Sequence, residues 1–249
     1  MTAPPLFPAE ARRVLWSQFI LAGTLAVVAR RGSGAFAYTD THAGSGRLPG
    51  APALLAPLLA AGGDFQGQAF FQALQGQAPA FHPGSWVLAG RVLTAAGREP
   101  EIDVNDIDAA ALAAARAHRE GLWTRFWRHD WFSFLRSRLD LAHPPQFVFI
   151  DPPPDDARGP AYAIDAAILL DTLKIPYMVS YPALEAQESI DQIGRTGLEL
   201  LAGAAPAGVL LGGGAEQALL ELLPDLRRLA PLLGGRFQPR LPQAFAYMI

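Results

Sequence analysis

Short apolar runs alternate along the chain with longer segments in which apolar residues recur every three or four positions. The runs predict buried β-strands, and the longer spacing predicts helices. The predicted strands are 35–40, 102–106, 147–151, 176–180 and 207–211, and the predicted helices are 9–30, 84–96, 108–121, 130–140, 161–174, 183–195 and 215–232. This alternation is typical of a parallel sheet that is covered by helices on both faces.

Three of the predicted strands end in an acidic residue, namely Asp40, Asp106 and Asp151. The carboxyl ends of parallel strands line the crevice in which open α/β sheets bind ligands. Three such acids therefore predict a binding site, although a single acid at the end of a strand is often only a helix cap.

The chain has 249 residues, of which 51% are hydrophobic and 17% charged, with a net charge of -3 and no cysteine. This composition predicts a globular protein, which we interpret as a single domain over residues 1–249. The lack of cysteine excludes disulfides, thiolate metal sites and cysteine nucleophiles. The slightly negative net charge argues against tight nonspecific binding to nucleic acid.

The first residues lack the basic-then-apolar order of a signal peptide, and no apolar run is long enough to span a bilayer. We therefore expect a cytoplasmic protein without a membrane span, and a monomer is favoured. Residues 48–83, which are rich in proline, glycine and glutamine, predict a small helical insertion within the domain. Residues 234–242 are predicted to be an irregular tail on the sheet edge.

The segment 40–46 reads Asp-Thr-His-Ala-Gly-Ser-Gly and follows the first predicted strand. Its glycines allow positive φ angles and a close approach of the backbone to a ligand. The spacing matches neither the Walker A pattern nor G-x-G-x-x-G, so it does not specify phosphate binding. A tight turn without a ligand, with His42 as an ordinary loop histidine, is the alternative.

A second motif, Asp151-Pro-Pro-Pro, follows a predicted strand and holds a carboxylate beside a proline carbonyl. Two rigidly placed acceptors suit an exocyclic amine, which donates hydrogen bonds. Asp106 is placed to accept from ribose hydroxyls, and Asp130 from an adenine amino group. The alternatives are a proline-rich exit loop for the motif and solvated loop acids for Asp106 and Asp130.

Taken together, these segments resemble the RlmJ-type bacterial methyltransferases, which transfer a methyl group from S-adenosylmethionine to N6 of an adenine in large-subunit ribosomal RNA. Six motifs of the family have counterparts along the chain in the same order. Residues 40–46 are similar to D-T-H-A-G-x-G, residues 83–85 to P-G-S, and residues 104–106 to the segment with a strand-end acid. Residues 129–132 are similar to A-D-G-F, residues 150–153 to the start of D-P-P-Y, and residues 180–182 to W-Y-P.

The resemblance implies a class I S-adenosylmethionine-dependent methyltransferase fold, with a Rossmann-like, mostly parallel sheet of seven strands. It implies S-adenosylmethionine as cofactor, ribosomal RNA or another nucleic acid as partner, and no metal. Asp151 and Pro152 would be catalytic, orienting the target amine. The cofactor would be bound by Asp40, His42, Gly44, Gly46, Ser85, Asp106, Asp130, Trp131 and Asp151.

The chain departs from the family pattern at three motifs. Trp16-Ser17 stands where the first helix has a Lys-His pair, Pro154 stands where D-P-P-Y has its aromatic residue, and Gly212-Gly-Gly-Ala215 stands where the family has N-P-P-W. Trp131, Tyr162 and Tyr181 are nearby aromatic residues that could replace the missing ring. The alternative function is a non-catalytic binding module with the methyltransferase fold.

Overall fold

The computed structural model describes residues 9–48, 58, 65, 67–75, 82–153, 156, 158–182, 194–203 and 206–242. Its helices are α1 (Ala9–Ala29), α2 (Ala69–Leu74), α3 (Ser85–Ala95), α4 (Ala109–Ala117), α5 (Trp131–Leu139), α6 (Gly159–Leu173) and α7 (Leu219–Leu232). Its strands are β1 (Gly34–Asp40), β2 (Arg47–Leu48), β3 (His82–Pro83), β4 (Arg98–Asn105), β5 (Trp123–Trp127), β6 (Phe147–Ile150), β7 (Tyr177–Pro182), β8 (Thr196–Leu201), β9 (Ala207–Gly212) and β10 (Arg236–Arg240).

The main sheet has eight strands in the order β10-β8-β9-β7-β6-β1-β4-β5. Strands β5, β4, β1, β6 and β7 run parallel, whereas β9 is antiparallel to β7 and β8, and β10 is antiparallel to β8. The chain leaves β1 for β4 on one side and later adds β6 on the other side of β1. The strand order therefore reverses between β1 and β6, and open α/β sheets bind ligands at such a point.

Strand β6 shows why the centre of the sheet reads as an uninterrupted apolar run. Phe147 and Phe149 pack into the core on one face of the sheet, together with residues of α1 and α3. Val148 and Ile150 pack into a second core on the opposite face, together with residues of α5 and α6. Alternate side chains of a strand point to opposite faces, so a strand covered on both faces is apolar at every position.

The five predicted strands correspond to β1, β4, β6, β7 and β9, and the mostly parallel α/β architecture is confirmed. The prediction omits β5, β8 and β10 of this sheet, and also the short strands β2 and β3, which pair with each other in a separate sheet. The expected irregular tail at 234–242 is wrong over β10, which pairs with β8 at the sheet edge. Because an edge strand has one neighbour, β10 accommodates Pro239 and polar residues that carry little strand signal. The sheet thus has eight strands instead of seven.

The predicted helices correspond to α1, α3, α4, α5, α6 and α7, with α4 ending at Ala117 before the chain turns into β5. Within the predicted insertion 48–83, the short helix α2 packs against α1 through Phe70 and Phe71, whose rings contact Phe19. Most of the insertion, and residues 183–193 of another predicted helix, lie outside the described residues. Across the part of the chain that is described, no helix is both long and apolar enough to cross a bilayer.

Candidate functional site

The loops that follow β1, β4 and β5 are joined at the carboxyl edge of the sheet by the buried side chain of Asn105. Its Nδ2 donates to the carbonyl oxygens of Thr41 at 3.2 Å and His129 at 3.1 Å. Its Oδ1 accepts from the backbone N–H of His129 at 2.9 Å. A buried amide with these partners fixes the loops relative to one another. The predicted residues on these loops are therefore neighbours.

The glycine turn after β1 contains two residues in the left-handed region, with φ of +56° at Gly44 and +74° at Gly46. A Cβ at Gly44 would meet no atom within 4 Å, whereas a Cβ at Gly46 would lie 2.6 Å from the Trp86 ring. The N–H of Gly84 donates to the carbonyl oxygen of Gly46 at 2.7 Å. Glycine at position 46 is thus required by packing against the start of α3, and Gly44 leaves open space beside the turn.

Asp40 ends β1 and is fully buried beneath the turn. Its Oδ2 accepts hydrogen bonds from Ser85 Oγ at 2.6 Å and Tyr38 OH at 3.2 Å, and its Oδ1 accepts from the His42 N–H at 3.1 Å. Burial raises the pKa of Asp40 from 3.8 to about 7, although these hydrogen bonds lower it. Asp40 therefore holds Ser85 and the turn in place from the buried side. It would act on a ligand through Ser85 and not by direct contact.

His42 connects the turn to α5. Its Nδ1 lies 2.8 Å from Thr41 Oγ1, and its ring centroid lies 5.3 Å from that of Trp131. Burial lowers the pKa of His42 from 6.5 to about 4, although nearby carboxylates raise it. The ring is therefore neutral at pH 7. Its Nε2 is buried and has no hydrogen-bond partner among the described residues. Buried nitrogens are usually hydrogen-bonded, and a bound ligand would supply the missing hydrogen-bond partner.

Asp106 and Asp130 flank this region, but their carboxylates already accept hydrogen bonds. Asp106 Oδ2 accepts from the Gly44 N–H, and its Oδ1 accepts from the Asp108 N–H, both at 2.9 Å. Asp130 Oδ1 accepts from the Ser133 N–H at 2.9 Å and so caps α5. The structure thus places Asp106 directly beside the turn and shows Asp130 as a helix cap.

Asp151 follows β6 and forms an ion pair that the sequence analysis did not predict. Arg13 Nη1, on α1, donates to Asp151 Oδ1 at 2.5 Å and to Ser180 Oγ at 3.4 Å. Arg13 and Ser17 stand four positions apart in a largely apolar helix and therefore share one face. Two polar residues at this spacing in an apolar helix indicate, from the sequence alone, that this face of α1 lies near polar groups.

A cavity of about 240 Å³ lies between α1, the glycine turn and the end of β6. The predicted residues that line it are His42, Gly44, Gly46, Ser85 and Asp151. Lining residues that were not predicted are Val14, Ser17, Gln18, Ala43, Ser45, Arg47, Gly84 and Phe149. Complete small-molecule pockets usually measure about 300–1,000 Å³, so this cavity suits one end of a larger ligand.

The polar groups of the cavity fit S-adenosylmethionine, whose amino acid and nucleoside parts carry both donors and acceptors. The hydroxyl of Ser17 is buried without a hydrogen-bond partner among the described residues, as is His42 Nε2. Gly44 adds a stretch of backbone with open space in front of it. These groups lack partners that a polar ligand would provide.

The first departure from the family pattern has a structural explanation. Trp16 is fully buried, and its Nε1 donates to the carbonyl oxygen of Leu198 at 3.0 Å. Trp16 thus belongs to the core, while Ser17 lines the cavity. The second departure, Pro154, lies outside the described residues.

The nearby aromatic residues occupy different environments. Tyr181 is buried and its hydroxyl donates to Glu199 Oε1 at 3.2 Å, so it points to a polar contact within the core. Tyr162 stacks on Phe132 with ring centroids 5.1 Å apart. Trp131 packs against both rings of that pair and against His42. Of these three residues, Trp131 is the one that contacts a residue lining the cavity, namely His42.

A second cavity, of about 310 Å³, lies beside the middle of β1 and β4. Asp103 borders it and accepts hydrogen bonds from Arg125 Nε at 2.7 Å, Arg125 Nη2 at 2.6 Å and Trp127 Nε1 at 2.8 Å. Its buried carboxylate is thus satisfied by the protein itself. None of the predicted site residues lines this cavity.

No protein-family model matches the sequence, and no curated protein matches it. Among solved structures, protein LPL1258 from Legionella pneumophila, of the family model DUF519, is similar with a TM-score of 0.64 and 14% identity over 93% of this chain and 97% of that chain. A ribosomal RNA methylase from Streptococcus thermophilus has a TM-score of 0.40 and 12% identity, over 76% of this chain and 91% of that chain. TrmN from Thermus thermophilus has a TM-score of 0.39 and 16% identity, over 80% of this chain and 52% of that chain.

At these identities the likeness to LPL1258 concerns the fold alone, and the two lower TM-scores are too weak to support a conclusion. The strand order, with β9 antiparallel inside an otherwise parallel region, agrees with the predicted fold class. The chain has the Rossmann-like fold of class I S-adenosylmethionine-dependent methyltransferases.

Proposed function

We propose that this chain is an S-adenosylmethionine-dependent methyltransferase that modifies the exocyclic N6 amine of an adenine in ribosomal RNA or another nucleic acid. The observation that supports it most is the position of Asp151. This carboxylate lies at the end of β6, next to the point where the strand order reverses, and it borders the cavity that His42, Gly44 and Ser85 line.

The cofactor supplies a methyl group on a positively charged sulfur, which needs no activation by a metal. Asp151 would accept a hydrogen bond from the target amine, and the Pro152 carbonyl would accept a second one. Two acceptors orient the nitrogen lone pair towards the methyl carbon. The amine nitrogen would form the new N–C bond while the cofactor keeps the electron pair of its S–C bond, and the amine would release one proton to solvent.

The remaining predicted residues would hold the cofactor. His42, Gly44, Gly46 and Ser85 line the cavity. Asp106 lies beside the same turn, where its carboxylate would accept from ribose hydroxyls. Trp131 packs on His42 and would flank the adenine, with Asp130 next to it in sequence. Asp40 would act from below by fixing Ser85.

Nucleic acid as the methyl acceptor is supported by the ordered set of motifs shared with the RlmJ-type enzymes. The Streptococcus thermophilus structure is named as a ribosomal RNA methylase, but its likeness adds no weight. The choice between an active enzyme and a binding module depends on whether Asp151 works without an aromatic residue at position 154. A transfer assay decides this directly.

The test is transfer of a radiolabelled methyl group from S-adenosylmethionine to large-subunit ribosomal RNA transcribed in vitro, followed by nucleoside analysis. Label in N6-methyladenosine, lost in Asp151→Asn but retained in Arg30→Met, is the expected result. Arg30 is a matched control because it pairs with Glu221 on the surface. Label in another nucleoside would refute the N6 assignment. Cofactor binding without any transfer to RNA would support the binding module instead.

A further inference from the structure

Arg13 joins α1 to Asp151, which directly follows β6, and to Ser180, which lies within β7. A single nitrogen, Nη1, donates to Asp151 Oδ1 at 2.5 Å and to Ser180 Oγ at 3.4 Å. The residues of the ion pair are 138 positions apart in sequence. The contact therefore fixes the first helix to the point where the candidate acceptor of the target amine lies.

The Arg13–Asp151 pair differs from the surface ion pair of Arg30, the residue that directly follows α1. Its side chains are 24% and 25% exposed, compared with 56% and 57% for Arg30 and Glu221. Exposed pairs contribute little because water and salt screen them. Partial burial reduces that screening, so the guanidinium of Arg13 restrains the carboxylate of Asp151 more strongly.

The backbone that carries Arg13 is itself held rigidly. Trp16, Phe19 and Ile20, within the next two turns of α1, are each at most 2% exposed. Trp16 is also anchored through its hydrogen bond to Leu198 O. A side chain projecting from a helix that is packed in this way starts from a fixed position.

The contact occupies one oxygen of Asp151 and leaves the other available. Arg13 bonds Oδ1, and no donor among the described residues forms a hydrogen bond with Oδ2. A carboxylate has two oxygens and can accept several hydrogen bonds at once. An amine can therefore donate to Oδ2 while Arg13 holds Oδ1.

We infer that Arg13 is a positioning residue for Asp151, holding its carboxylate so that Oδ2 faces the target amine. This inference rests on the proposed methyl transfer. It also accounts for the departure at positions 16 and 17. In place of a basic residue there, α1 brings a cation to the site from Arg13, on the same face as Ser17 and one turn earlier.

The test measures methyl transfer to the same ribosomal RNA, together with calorimetric binding of S-adenosylhomocysteine, in wild type, Arg13→Met, Arg13→Lys and Arg30→Met. A misplacement of about 1 Å costs up to about 10²-fold in rate. We therefore expect kcat of Arg13→Met to fall by about 10- to 100-fold. KM for the RNA and Kd for S-adenosylhomocysteine should remain within about twofold, because Arg13 acts through Asp151.

Arg13→Lys should restore most of kcat, since a lysine keeps the cation, and Arg30→Met should match wild type. An unchanged kcat in Arg13→Met would overturn the inference. Weaker S-adenosylhomocysteine binding in Arg13→Met would also overturn it, because Arg13 would then belong to the cofactor site. A wild-type protein that transfers no methyl group would instead refute the proposed function, and the inference with it.

Discussion

The Gly46→Ala substitution tests whether the turn after β1 is built around its close contact with α3. Gly46 has φ of +74°, and an added Cβ would lie 2.6 Å from the buried Trp86 ring. A left-handed conformation costs an alanine about 1–2 kcal/mol, and a methyl group forced into a packed region adds about 1–3 kcal/mol. We therefore expect the free energy of unfolding to fall by about 2–5 kcal/mol.

Gly44→Ala is the matched control, because Gly44 also has a positive φ but faces open space. This variant should lose only the backbone cost of about 1–2 kcal/mol. Urea unfolding followed by tryptophan fluorescence measures both changes under the same conditions. Equal losses in Gly44→Ala and Gly46→Ala would refute the steric argument, because the contact with Trp86 would then carry no cost.

Two further predictions concern buried charges. Burial raises the pKa of Asp40 from 3.8 to about 7, so its contribution to stability is present below pH 3.8 and is lost as the pH rises through about 7. Asparagine does not titrate, so the urea midpoint of Asp40→Asn should fall less than that of wild type between about pH 5 and about pH 8. Equal falls of the two urea midpoints would contradict this prediction. Arg98 is buried and donates to three carbonyl oxygens at 2.8 to 3.0 Å, so Arg98→Met should cost at least about 1.5–3 kcal/mol in urea unfolding. If Arg98→Met loses no more free energy of unfolding than the exposed control Arg236→Met, the three hydrogen bonds do not stabilise the fold.

The strands that are easiest to predict are those whose own residues are mostly apolar. β1 and β6 are central strands, so burial on both faces requires apolar side chains along most of their length. β10 has one partner strand and reads Arg-Phe-Gln-Pro-Arg. Its existence depends on the neighbouring β8, which a local pattern does not reveal.

The candidate site divides in the same way. Asp40, Asp106 and Asp151 are visible in the sequence because each closes a short predicted strand, and the strand before Asp151 is apolar throughout. The contact of Arg13 with Asp151 spans 138 residues, and only the packing of α1 on the sheet creates it. The burial of Asp40 beneath Ser85 likewise arises from the tertiary fold, because the same motif in an open loop would leave this carboxylate in water.

The central claim is that the loops at the carboxyl ends of β1, β4 and β6 bind an adenosyl cofactor. Calorimetric titration with S-adenosylhomocysteine tests this most directly in wild type, Asp106→Ala and the control Asp108→Ala. Asp108 is a suitable control because its side chain caps α4. We predict micromolar binding to wild type and Asp108→Ala, and binding weaker by at least about tenfold, or about 1.4 kcal/mol, in Asp106→Ala. No binding to wild type at millimolar ligand, or equal affinity in all three proteins, would contradict the account.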